Sequence, residues 1–271
     1  MVHEVVNNMI EIKDIKFSYE KKIVNSGFEL DIPYWIVNDG DFVSLLGPNG
    51  CGKSTLLKLL CNLYASKTGT IEINHKNICN IDRKEIAKKI SYVPQSSQSI
   101  FPFSVYEIVL MGRTPYLNMM GFENSSDKEI VNEALALMEI EHLKKKGINE
   151  LSGGEAQRVF IARALAQKAD VILLDEPNAH LDIEHQIKIF DILKKINFED
   201  GITIISVSHD LNLVGIYSKK VTLMVNGKIV LHGDKSGILN ESNIQEIFGI
   251  KSKIFSSANS EYVNVLINPV N

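Results

Sequence analysis

The stretch DFVSLLGPNGCGKSTLLKLL, residues 41–60, decides the fold. DFVSLL is a nearly continuous apolar run, as expected for a strand buried on both faces. KSTLLKLLCNLY carries Leu56, Leu57, Leu60 and Leu63 at the spacing of one helix face. Between the two lies GPNGCGKS, a match to G-x-x-x-x-G-K-[ST] in the strand–loop–helix context that gives the motif its meaning. A triphosphate needs several backbone N–H donors converging on it. Gly47, Gly50 and Gly52 let a loop completed by Pro48, Asn49 and Cys51 wrap closely, and the helix start adds the positive end of its dipole. Lys53 supplies a point charge for the β- and γ-phosphates, Ser54 a hydroxyl for magnesium, and Thr55 a further phosphate donor. Cys51 reads as filler within the loop.

Working outward, VILLDE (171–176) supplies a second half to this chemistry. A buried strand ends in Asp175, which can hold magnesium together with Ser54. Glu176 follows at the strand end, suited to polarise an attacking water, a contribution typically worth about 10²–10⁴ in rate. A hydrophobic string ending in Asp-Glu is weak evidence by itself and strong beside the phosphate loop. MIEIKDIKFSY near the start and ITIISVS (202–208) read as further strands, and residues 125–145 and 155–168 as helices. VTLMVNGKIVLHG reads as a hairpin, with Asn226 and Gly227 supplying the positive φ angles of a type I′ turn. The order is a strand-rich start, a helical middle and buried strands again: an α/β core with a helical lobe inserted over about residues 100–167.

The bulk numbers fit this picture. The 271 residues, 45% of them hydrophobic, are ample for a core. A net charge of −4 gives no support to a nucleic-acid partner. The three cysteines, Cys51, Cys61 and Cys79, contain no C-x-x-C pair and read as free thiols in a reducing compartment. The N-terminal stretch has acids where a secretory signal needs an apolar run. No run of about 18 apolar residues spans a bilayer, so any work at a membrane is done through a partner.

LSGGEAQR (151–158) opens another helix. Ser152 and Glu155 form an S-x-x-E capping box, which satisfies N–H groups at a helix start. Gly153 and Gly154 expose backbone there, so the segment serves equally as a structural cap or as an anion site. A second phosphate-binding helix start, in a different lobe from the single phosphate loop, points to a nucleotide held by another chain, and so to a dimer.

Taken together, these motifs resemble the ATP-binding subunit of an ATP-binding cassette (ABC) transporter. LSGGE is the signature of that family and is more specific than the phosphate loop. Other positions follow in family order. Tyr19 in FSY resembles the aromatic residue that stacks on adenine, and Gln95 in YVPQ the glutamine that joins magnesium and the attacking water. Asp182 in NAHLD resembles the loop that crosses to the second site, and His209 in SVSHD the histidine that contacts the γ-phosphate. Alone, each would read as an ordinary strand or loop residue; their joint order carries the reading, and the resemblance runs from Met9 to about Gly249.

The resemblance implies a P-loop NTPase, RecA-like core with an antiparallel β subdomain and an inserted α-helical subdomain. It implies one ABC ATPase domain over 1–271: core and β subdomain at 1–99 and 168–250, helical subdomain at 100–167, and a short tail at 251–271. It implies ATP with Mg²⁺, and two subunits binding two ATP molecules head to tail. Each γ-phosphate then lies between Lys53 of one chain and Ser152, Gly153 and Gly154 of the other, with Glu155 in the same segment. The expected partners are a second copy or a paralogous ATPase, integral-membrane permease subunits and, indirectly, an external substrate-binding protein, with the chain peripheral on the cytoplasmic face of the cell membrane. VLMGRTPY (109–116) is similar to importers of iron-siderophore, haem or cobalamin chelates; zinc and manganese importers carry comparable strings, and a soluble, non-transport ABC ATPase is a further alternative. FELDIPYWIVNDGD, holding the single tryptophan Trp35, is longer than usual for the family and reads as an extended hairpin at a sheet edge. In NAHLD, Asn178 and Ala179 stand where Thr and Ser are commoner.

Overall fold

In the computed structural model of the chain, the described residues are 7–19, 27–95, 102–117, 121–178, 181–256 and 262–268. In chain order the elements are β1 (Asn8–Phe17), β2 (Leu30–Asn38), β3 (Phe42–Leu46), α1 (Lys53–Leu60), β4 (Thr68–Ile73), β5 (Lys76–Asn77), α2 (Arg83–Lys89) and β6 (Ile90–Val93). Then come α3 (Val105–Leu110), α4 (Ser125–Leu137), α5 (Gly153–Ala166), β7 (Val171–Asp175), α6 (Ile183–Asp200), β8 (Thr203–Val207) and α7 (Leu211–Tyr217). The chain continues through β9 (Lys220–Val225), β10 (Lys228–Asp234), α8 (Lys235–Ile238), α9 (Glu241–Phe248), β11 (Ser252–Ser256) and β12 (Val263–Ile267). Two compact units result: Met1–Ile81 with Thr203–Asn271, and Asp82–Ile202.

In the first unit, β3 pairs in parallel with β8 on one side and β9 on the other, and β10 returns antiparallel to β9. All five residues of β3 are buried, and so are all five of β8, which is why both read as unbroken apolar runs. A separate antiparallel sheet runs in the order β2-β1-β4-β5. Asn226 (φ 47°) and Gly227 (φ 78°) make the β9–β10 turn as expected. The stretch around Trp35 is the edge strand β2. Its indole is buried and donates through Nε1 to Thr222 Oγ1 at 3.2 Å and His232 Nδ1 at 3.3 Å, tying this edge to β9 and β10. Beyond α9 the chain forms the β11–β12 hairpin, which seats on α7: Val265 N–H donates to Asn212 Oδ1 at 2.7 Å, and a Cβ on Gly215 would stand 1.8 Å from the Val263 carbonyl oxygen.

The second unit holds the parallel pair β6–β7 and the helices α2 to α6. The single helix expected over 125–145 is shorter. It ends at Leu137, Glu139 turns left-handed (φ 54°), and a short 3₁₀ turn follows at Glu141–Leu143. Likewise α1 stops at Leu60, with Asn62 at φ 54°, so Leu63 lies past its end and is exposed. Inside this unit Arg113 donates to Asp127 Oδ1 at 2.9 Å and to the Ala166 carbonyl at 2.8 Å, and both charged side chains are buried. Gly112 is needed beside it, because a Cβ there would meet the Arg163 carbonyl oxygen at 2.3 Å.

Candidate nucleotide site

The phosphate loop leaves the carboxyl end of β3, where open parallel sheets place their ligands. Gly47 (φ 150°), Gly50 (φ 75°) and Gly52 (φ 107°) all take backbone angles that side chains resist. A Cβ at Gly47 would lie 2.1 Å from the Met224 carbonyl oxygen, and one at Gly52 would lie 2.8 Å from the Phe28 ring. Gly227 N–H donates to the Cys51 carbonyl at 2.9 Å, so the β9–β10 turn braces the loop from behind. Lys53 Nζ reaches back over the loop to the Gly47 and Pro48 carbonyls at 2.7 and 3.0 Å. No side chain caps the start of α1, so its first N–H groups face the loop, which suits a phosphate. Burial pushes the Cys51 thiol up despite Lys53 beside it, as expected of an inert packing residue.

Tyr19 joins this set through its hydroxyl, 2.7 Å from Thr55 Oγ1, and sits among Phe17, Phe28 and Tyr64. β8 runs parallel to β3, and Ser208 N–H bonds the Leu45 carbonyl at 3.3 Å, so His209 leaves the same end of the sheet as the loop and is exposed.

In the second unit the parallel strands β6 and β7 likewise end together. Gln95 Nε2 donates to Glu176 Oε2 at 2.9 Å, joining two residues expected to handle the attacking water. Asp175 is buried and accepts from the Tyr92 hydroxyl at 3.3 Å, and Glu176 is held left-handed at φ 52°, a strained setting of the kind found at reactive sites. Within this unit Gln95 and Asp175 offer amide and carboxylate oxygens, and in the first unit Ser54 offers a hydroxyl; each is a hard donor of the kind magnesium prefers.

The LSGGE segment forms the capping box its sequence calls for. Glu155 N–H donates to Ser152 Oγ at 3.3 Å, and Ser152 N–H to Glu155 Oε2 at 2.8 Å. That N–H, followed by the Ser152 hydroxyl, holds the Glu155 carboxyl below its ordinary range. Ser152, Gly153, Gly154 and Glu155 line a cleft of about 410 Å³ together with Asp182, and none of Gln95, Asp175 or Glu176 lines it. Asp182 caps α6. Ala179 lies outside the described residues. Residues 102–117 enter through α3 and the turn after it, with Phe103, Met111 and Tyr116 exposed; Ser99, Ile100 and Phe101 lie outside the described residues.

A glycine-rich phosphate loop on a parallel α/β sheet, with an acidic strand end and a glycine-opened signature helix, defines a P-loop NTPase of the cassette type. Residues 31–179 match the ABC transporter family model. The petrobactin import ATP-binding protein FpuC of Bacillus anthracis is 35% identical over 254 residues, 94% of this chain and 92% of that protein. The ferric enterobactin transport ATP-binding protein FepC of Escherichia coli is 35% identical over 242 residues, 89% of this chain and 88% of that protein. Among solved structures, an inward-facing ABC transporter described as of metal-chelate type superposes with a TM-score of 0.81 at 29% identity, covering 98% of each chain. The chain belongs to the ABC transporter family and is its ATP-hydrolysing cassette. Among the described residues no helix is long and apolar enough to cross a membrane.

Proposed function

We propose that this cassette hydrolyses ATP at a head-to-tail dimer interface to drive uptake of a metal chelate, of the iron-siderophore, haem or cobalamin class, through a membrane permease. The observation that carries it is the separation of the two halves of the chemistry. The Ser152–Glu155 cleft is shared with Asp182 and with none of Gln95, Asp175 and Glu176, which supports its receiving a nucleotide brought by another subunit. Cassettes of this family act as dimers with permease partners in importers. In this reading Lys53 and the loop amides hold the triphosphate, Tyr19 stacks on adenine and Thr55 adds a phosphate contact. Ser54, Gln95 and Asp175 are the magnesium donors. Glu176, steadied by Gln95, takes the proton of the attacking water, and His209 contacts the γ-phosphate. ATP stabilises the closed dimer because its γ-phosphate touches both chains, and hydrolysis removes that differential contact.

The chelate class is supported by the import and transport functions named for the relatives, by the metal-chelate neighbour, and by VLMGRTPY. Gly112 and Arg113 are interior here, which leaves exposed Phe103, Met111 and Tyr116 as the face for the permease. The second chain is a copy of this one, and the assembly sits on the cytoplasmic face of the membrane with an external substrate-binding protein beyond it. The test is a pull-down of the tagged chain from detergent-solubilised native membranes with mass-spectrometric identification. A polytopic permease is the expected companion; recovery with ribosomes or nucleic acid, or alone, would move the chain to the soluble branch of the family.

A further inference from the structure

Asp182 is held by more than its cap. Its Oδ1 accepts the His185 backbone N–H at 2.9 Å and His185 Nδ1–H at 2.7 Å. The carboxyl is held below its ordinary range first by that backbone N–H and then by the imidazole. The Asp182 side chain is otherwise 65% exposed, and a carboxylate so placed would turn freely. Two donors on one oxygen stop it and leave Oδ2 for other contacts. An ionised carboxylate only accepts, so Nδ1 carries the proton, and Nε2 has no hydrogen-bond partner among the described residues. His185 lines the same cleft as Ser152, Gly153, Gly154 and Arg158.

We propose that His185 is a positioning residue: it orients the Asp182 carboxylate at the signature cleft, and its protonation strengthens the ATP-bound dimer. This rests on the head-to-tail reading above and adds to it a residue and a pH dependence. Histidine is the side chain that changes charge between about pH 5 and 8. In the imidazolium the bond to Asp182 becomes charge-assisted on both sides, and a second cation joins Arg158 at a cleft that receives a triphosphate. The surrounding charges leave this change uncancelled. On α5, Glu155 is engaged with Ser152, and Arg158 is a fixed cation. On α6, Lys188 is paired with Glu184 and with Glu139 from the turn after α4, at 3.3 Å each. The backbone N–H that caps α6 survives any substitution at 185, so removing the imidazole tests the bond without removing the cap.

The test uses full-length chains in a Glu176→Gln background, with the ATP-dependent dimerisation constant measured by analytical ultracentrifugation from pH 8 to pH 6. With His185 present the dimer tightens by about tenfold as pH falls. His185→Ala weakens the dimer at pH 6 and flattens the profile. His185→Asn, whose amide nitrogen falls where Nδ1 was, restores the dimer at pH 8 and leaves the profile flat. Titration of ATP itself is common to all three chains, so each profile is read after subtracting that shared slope, measured with the Ser152→Ala, His185→Ala chain, and the thermal unfolding midpoints, measured alongside, agree within a few degrees. An Ala variant with the pH slope of the parent overturns the inference while leaving the dimer standing. The absence of an ATP-dependent dimer at every pH, in the parent as well, overturns the head-to-tail reading and the inference with it.

Discussion

At the level of single residues the chemistry is concentrated in a few side chains whose environment is already arranged. Glu176 is held in a strained backbone setting and bonded by Gln95 before any nucleotide is considered. Glu176→Gln keeps the shape and removes the proposed base. Phosphate release under saturating ATP is therefore expected to fall by about 10²–10⁴, while equilibrium ATP binding stays within about twofold. A variant with normal turnover would remove Glu176 from the mechanism. Glu176 stood out as a candidate because it ends an apolar run beside a phosphate loop, and the Ser152–Glu155 cap was legible because a capping box is a local pattern. The bond between Gln95 and Glu176 was not, since it joins residues 81 apart in the chain. His185 sits one helical turn from Asp182, a spacing visible in LDIEH, but only the structure shows its ring against the carboxylate.

At the level of elements, the phosphate loop, β3, β7, β8 and the Asn226–Gly227 hairpin follow from apolar runs and turn residues. Helix ends were less legible: Asn62 and Glu139 turn left-handed with no glycine to announce it. The MGR string carried a resemblance to chelate importers, yet its Gly and Arg are structural. The partners of Arg113 lie 14 and 53 residues further along, at Asp127 and Ala166, and Gly112 is held to a glycine by the Arg163 carbonyl, all beyond the reach of local pattern. Arg113→Met strands a buried Asp127, and a loss of about 3–5 kcal/mol in urea unfolding is expected. Adding Asp127→Leu should recover much of it, since a well-packed apolar pair often replaces a buried ion pair at little cost. The pH dependence has a definite sign. Burial pushes the Asp127 carboxyl up, but the Asn124 N–H and Arg113 outweigh it and hold it below its ordinary range. Its contribution is complete above the unfolded-state carboxyl value of about 3.9, and is lost as pH falls through the lower folded value. Acid unfolding followed by circular dichroism should therefore be less steep below about pH 4 in the Asp127→Leu, Arg113→Met chain than in the parent. Trp35 repeats the lesson about distance: its hydrogen-bond partners stand 187 and 197 residues away, so no reading of β2 alone could assign it.

At the level of the whole molecule, one chain carries a phosphate loop and a signature cleft lined by none of Gln95, Asp175 and Glu176. In the function proposed above this division makes the dimer the working unit, with a two-fold arrangement the closed solution for two identical chains. Family membership was legible because LSGGE and the phosphate loop are contiguous strings in a fixed order. The most direct measurement is the solution mass of the Glu176→Gln chain by light scattering with magnesium and ATP, and again with ADP. The account predicts a monomer near 30.3 kDa with ADP and a particle of twice that mass with ATP. A chain that binds ATP yet stays at the monomer mass at every concentration would contradict it.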